Sequence, residues 1–468
     1  MTRSSPLSVL SIGFVGLVAS LAIAPLSSSQ EGAPPPDPAP NTEMPAATGT
    51  AAPTAGFYVG VATCASSTCH GSTRPLSNFG VLQNEYYTWL QEDRHAQAYN
   101  VLFDERSRII MRNLRGGRAH ESQRCLDCHA LTPQPEQAAR RLEIEDGITC
   151  ESCHGPASGW LEGHRSEGWS HADSVAAGMI DLRQPAVRAG VCLDCHLGSA
   201  DRTVDHELIA AGHPALVFEL DNYAAAMPAH WAPAGGRSDP ARGDEMLSSH
   251  GAAAWAVGQV ETLRRGLELI AGRAAAGNWP EFAELSCGDC HHSLAEERWR
   301  QPVTDRRRVG LPRWSPARWA VLRPIVSATA PGRLAELDRR MATVSGVVER
   351  FGTPPRQVAD GARAAAAALA GLDEPLLAGP WDEPRLIALL AKVADPSAPD
   401  YDTAAQTLLA CNTLVSELIA RRPELVESSG LVASLDAMDR AVQSRAAYDP
   451  NRFATLTQRF AAEVRELR

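Results

Sequence analysis

At 468 residues the chain has the length for two or three domains, so a core can form without covalent staples. Its formal charge of −11, with Lys392 the only lysine and no block of basic residues, argues against a nucleic-acid partner. Eleven cysteines therefore need a reason other than the stapling of a small core.

Arg3 precedes an apolar run from Leu7 to Ala24, which reads as the n- and h-regions of a secretory signal. Residues 1–29 are taken as that signal or as an uncleaved N-terminal anchor, because Pro25 disfavours cleavage after Ala24 and the run nearly spans a bilayer. Either reading exports the protein to the periplasm. Residues 30–56, rich in Pro and Ala without periodicity, read as a disordered linker.

The next feature is Cys64-Ala-Ser-Ser-Thr-Cys69-His70, followed by a predicted helix over about 83–100 that carries His95. Four regular Cys-x-x-Cys-His groups follow: Cys125, Cys128 and His129; Cys150, Cys153 and His154; Cys192, Cys195 and His196; Cys287, Cys290 and His291. A second helix is predicted over about 249–275, where Val257, Val260, Leu263, Leu267 and Ile270 keep helical spacing. From 301 the pattern changes to Ala-rich segments with apolar residues at spacings of three and four, divided by Pro and Gly. Segments 333–351, 384–395, 403–422 and 452–467 predict a helical bundle. No stretch shows sustained strand alternation. The expected fold is mainly α: a multihaem domain over 57–300, with short helices and loops around stacked haems, then a helical domain over 301–468.

The haem expectation comes from chemistry. Two thiols three positions apart can form thioethers with the two vinyl groups of a porphyrin, and the adjoining imidazole becomes the proximal ligand of the iron. Zinc or iron–sulfur centres would not require a histidine after every second cysteine. Cys64, Cys69 and His70 read as a variant with two extra residues between the thiols, the alternative being a disulfide or a lone structural pair. Five covalently bound haems c would use ten cysteines. Cys411, in an apolar helical pattern, is the eleventh and reads as a buried core thiol.

Nine histidines remain: His95, His120, His164, His171, His206, His213, His230, His250 and His292. None lies beyond 300. Five irons in one segment need sixth ligands, and a haem that only passes electrons is best served by two strong axial ligands. Met111, Met179, Met227 and Met246 read as core or surface residues, since histidines are plentiful.

The stretches YVGVATC (58–64), WLQEDRHAQAY (89–99) and CESCHGPASGWLEGHR (150–165) resemble the multihaem cytochromes of the cytochrome c-554 type over about 57–230. The resemblance implies an electron carrier, with His95 paired to His154 and His164 to His70. It implies a five-coordinate iron on His129, and it points to His230 as the ligand opposite His196. DHELIAAGHPALVFEL (205–220) and AMPAHW (226–231) look like a branch with further haems, which makes His206 and His213 the candidates for the irons on His129 and His291, in either order. The stretched first motif, the group at Cys287 and the C-terminal segment depart from the tetrahaem pattern.

Three functions follow as expectations. The first is an electron relay between redox partner proteins. The second is an oxidoreductase in which the iron on His129 is open to a small nitrogen or sulfur compound such as nitric oxide, hydroxylamine or tetrathionate. In that case His120 and Arg124 would be proton donors or anion binders, against an ordinary surface or propionate-pairing role. The third is a subunit of a membrane respiratory complex that docks through the helical segment.

Overall fold

In this computed structural model, residues 56–76, 81–231, 251–291, 312–394 and 400–467 are described. The expected signal segment, most of the linker, His250, His292, Met246 and the 300/301 boundary lie outside them.

Helices dominate the described residues and no strand forms. Only isolated bridges occur, Tyr58 with Ala138 and Leu285 with Trp314. In the first half the helices are short. Glu85–Glu92 stops where Asp93 adopts an extended conformation and its carboxylate accepts the His95 N–H. His95 therefore sits on the 3-10 turn Arg94–Gln97 and not on the helix predicted over 83–100. Three regular motifs ride on α-helices, Gln123–His129, Cys150–His154 and Pro185–His196. On a helix, positions i, i+3 and i+4 share a face, so both thiols and the histidine point the same way. Proline at the first turn starts the Pro185 helix, and at the start of the Cys150 helix the Thr149 N–H donates to the Ser152 hydroxyl at 3.0 Å.

The second half is built differently. Helix Ala252–Ala275, the one predicted over 249–275, is buried along much of its length, with Trp255 at 0% exposure. It packs against Pro355–Ala367 and Ala317–Thr329. The predicted bundle segments form Pro331–Val348, Glu383–Val393, Tyr401–Arg421 and Pro450–Arg465. One continuous apolar core runs from Ala252 to Val464 and includes Leu322, Leu337, Leu414, Phe453 and Phe460. Cys411 is fully buried within it. Helix Ala252–Ala275 precedes residue 300 in sequence and shares this core with the helices from 317 onward. Residues Gly56–Arg468 accordingly make one compact unit.

Before residue 231, in contrast, apolar side chains gather in small separate groups. One holds Tyr99, Leu102, Met111 and Leu126; another holds Val61, Trp89 and Ala96.

Candidate haem sites

The stretched first motif has no helix to align it. The loop is closed instead by the His70 N–H donating to the Cys64 carbonyl at 3.2 Å and by Gly71 N–H to Ser66 O at 2.9 Å. A Cβ on Gly71 would stand 1.9 Å from Ala65 O, so only glycine lets the loop fold back this tightly. The carboxylate of Glu151, inside the third motif, accepts from Val59 N (2.9 Å), Gly60 N (2.9 Å) and Ala157 N (2.7 Å), which ties the first motif to the third.

Motifs far apart in sequence bring their thiols near enough to affect one another's ionisation. Cys64 acts on Cys150 in this way, and Cys128 on Cys195. The Cys64 thiol, then burial, pushes the Cys150 thiol well up, and burial pushes Cys153 up to about 12. Cys150 and Cys153 are therefore neutral at pH 7.

Imidazoles form pairs across the segment. Ring centroids stand 6.2 Å apart for His70 and His164, 6.2 Å for His95 and His196, 6.5 Å for His154 and His230, and 6.1 Å for His206 and His291. Two imidazoles on opposite sides of one metal, each bonded at about 2.0–2.1 Å, put their ring centroids roughly 6 Å apart. Each pair can thus hold one iron between its rings. A direct van der Waals stack would be closer, as in the 4.2 Å stack of Phe103 on His120.

The pairing departs from the one the resemblance implies. The ring of His70 lies by that of His164, while His95 lies by His196 and His230 by His154, where the resemblance implies His95 with His154 and His230 with His196. Backbone docking explains the first exchange. The Trp89 indole donates to Ile148 O at 2.9 Å and Ile148 N to His95 O at 3.1 Å, which pins His95 to the N-terminal end of the Cys150 helix, whereas His154 is at its C-terminal end. For the second, Phe218 stacks on the His196 ring at 5.4 Å and Tyr223 packs edge-on at 5.2 Å, so that flank is filled. His206 and His213, left undecided by sequence, separate as well. His206 joins His291, and His213 stands close enough to His129 for their charges to interact. No described imidazole stands at pair spacing from His129.

Hydrogen bonds decide which ring nitrogen is free. Nδ1 of His70 binds Glu85 at 3.0 Å, and that of His95 binds Asp93 at 3.0 Å. Nδ1 donates to Ala98 O from His129 (2.8 Å), to Leu161 O from His164 (2.6 Å), to Pro214 O from His213 (2.8 Å) and to Pro228 O from His230 (3.3 Å). In each case Nε2 is left for a metal, oriented by the partner on the other side of the ring. Burial lowers His154 and His196 to about 4, which keeps both rings neutral and able to donate a lone pair.

Other sequence candidates have different partners. His171 spends Nε2 on Asp181 at 2.9 Å. His120 stacks on Phe103 and approaches Glu121 at 3.7 Å. Arg124 bridges Asp205 (2.7 Å) and Glu207 (3.3 Å), which anchors the start of helix His206–Ala211 to the second motif. Sequence reading missed the acidic anchors inside the motifs: Asp194 holds Arg265 at 2.9 Å and Asp289 holds Arg313 at 2.8 Å. Their signal was the recurrent Asp before the second cysteine.

This constellation defines a c-type cytochrome, a protein with covalently bound haem c that serves in electron transfer. The family model of cytochrome c554 and c-prime matches residues 63–155, and that segment belongs to the family. No curated protein and no solved structure matches the chain.

Proposed function

We propose that the chain is an exported carrier that relays electrons through five covalently attached haems c. The haems are held by Cys64 and Cys69, Cys125 and Cys128, Cys150 and Cys153, Cys192 and Cys195, and Cys287 and Cys290. The axial pairs are His70 with His164, His196 with His95, His154 with His230, and His291 with His206; His129 takes the remaining iron, with His213 on hand. The four imidazole pairs at 6.1–6.5 Å carry this reading. Two nitrogen ligands keep an iron six-coordinate in both oxidation states, which suits a relay. Electrostatic coupling of the thiols of the first and third motifs, and of the second and fourth, supports neighbouring tethered groups, as a relay requires.

The protein works in the periplasm between redox partner proteins, a membrane respiratory complex among them. No helix among the described residues is long and apolar enough to cross a membrane.

One observation favours a second reading. His129 lacks a described imidazole at pair spacing, and an iron there would be the one able to take a small nitrogen or sulfur compound. Optical and EPR spectra of the matured protein, with and without carbon monoxide, separate the two. Low-spin signals without a carbon monoxide shift support the relay alone; one high-spin haem that binds carbon monoxide supports an enzyme at His129.

A further inference from the structure

The imidazoles proposed as iron ligands are backed in two ways. Nδ1 of His129, His164, His213 and His230 faces a neutral backbone carbonyl. His70 and His95 instead face a carboxylate, Glu85 Oε2 at 3.0 Å and Asp93 Oδ1 at 3.0 Å. No other proposed ligand has a carboxylate on its ring among the described residues. An ionised carboxylate can only accept, so both rings carry their proton on Nδ1.

One short helix supplies both acceptors, since Glu85 opens Glu85–Glu92 and Asp93 directly follows it. Each carboxylate is held in place. Glu85 Oε1 accepts from Leu82 N at 2.8 Å and from Gln83 N at 3.0 Å. Gln83 takes φ +59 at this turn, a left-handed conformation that costs free energy in a residue other than glycine. Asp93 Oδ1 accepts from the His95 backbone N–H at 2.9 Å as well as from its ring. The two side chains are 14% and 8% exposed, and no arginine or lysine pairs with either among the described residues. Water and neighbouring cations therefore do little to offset their charge.

We propose that Glu85 and Asp93 tune two haems, those of the first and fourth motifs, holding each at a lower potential than a neutral acceptor behind the same imidazole would give. An ionised acceptor draws on the Nδ1 proton and makes the ring a stronger donor at Nε2. That favours ferric iron over ferrous, and the negative charge itself acts in the same direction. Both are positioning residues, which act through the ligands they touch.

This inference rests on the proposed axial pairs. Redox titration of the full-length matured protein, followed haem by haem in EPR, tests it. Asp93→Asn can keep an acceptor at Oδ1 for both hydrogen bonds while it removes the charge. The haem on His196 should then become easier to reduce by roughly tenfold, a rise of about 59 mV for one electron, with its low-spin signal kept and the other haems unmoved. Glu85→Gln is expected to raise the haem on His70 in the same way, and Asp93→Asn decides the matter if that variant does not mature. A potential that stays in place or falls, or a rise shared by all haems, overturns the proposal. His95→Ala identifies the signal, because it should turn only the haem on His196 high-spin. If it leaves every haem low-spin, the axial pairing itself falls, whatever the potentials do.

Discussion

Glu151 shows how one buried carboxylate can organise two motifs. It is 2% exposed, yet its oxygens are satisfied by backbone N–H groups from both sides. Charge-assisted bonds of this kind contribute about 1.5–3 kcal/mol each. Glu151→Gln loses the charge and turns an amide NH₂ toward those donors, so denaturant unfolding of the matured protein should show a loss of about 2–4 kcal/mol. Glu219, 1% exposed, has its pKa raised to about 8 by burial and by the neighbouring Asp221 carboxylate. The unfolded chain ionises this group near its ordinary value of 4.5 and the folded chain near 8, so the folded state binds more protons in between. Stability should therefore fall as pH rises from about 4.5 to 8, and Glu219→Gln should flatten that slope in a pH series of unfolding curves. On the proposed ligation, His164→Ala should convert a single haem, that on His70, from low spin to high spin in EPR and leave the other signals unchanged.

At the scale of helices, close approach sets the tolerances. Gly258 of helix Ala252–Ala275 lies against helix Leu220–Ala226, where an added Cβ would be 2.7 Å from the Leu220 Cβ. That contact joins the haem-bearing part to the helical core, and Asn222 reinforces it by donating to Leu409 O at 3.0 Å and Thr413 Oγ1 at 2.9 Å. Gly258→Ala should separate the two helices and cost about 1–3 kcal/mol, despite alanine's better helix propensity, as read by thermal unfolding of the matured protein.

Over the whole molecule, apolar burial is uneven. Residues from Ala252 onward share one continuous core, whereas those before 231 hold only small clusters between the motifs. The macrocycles must therefore complete the interior of the first part, and cofactor binding there is coupled to folding. In protein made without haem attachment, hydrogen exchange should find 252–275 and 317–467 protected and 57–231 exchanging fast. Equal protection of both parts would contradict that coupling.

The regular attachment motifs were readable from the chain alone because their chemistry is local: two thiols and an imidazole fall within five residues, on one helical face in three of the four. Five helices of the second half were equally open to reading through apolar spacing at three and four, whereas Ala317–Thr329, Pro355–Ala367 and Leu431–Val442 were not among the predicted segments. Asp93 shows where periodicity failed, because one side-chain acceptor ended a helix that the pattern would have continued through His95. The choice of opposite imidazoles was not local at all. Which of His95, His206, His213 and His230 meets which motif depends on distant segments docking, through Ile148 on His95, Phe218 on His196 and Arg124 on Asp205. Only packing in three dimensions fixes those contacts, because the chain separates each pair by many residues and any of the free histidines offers the same ring.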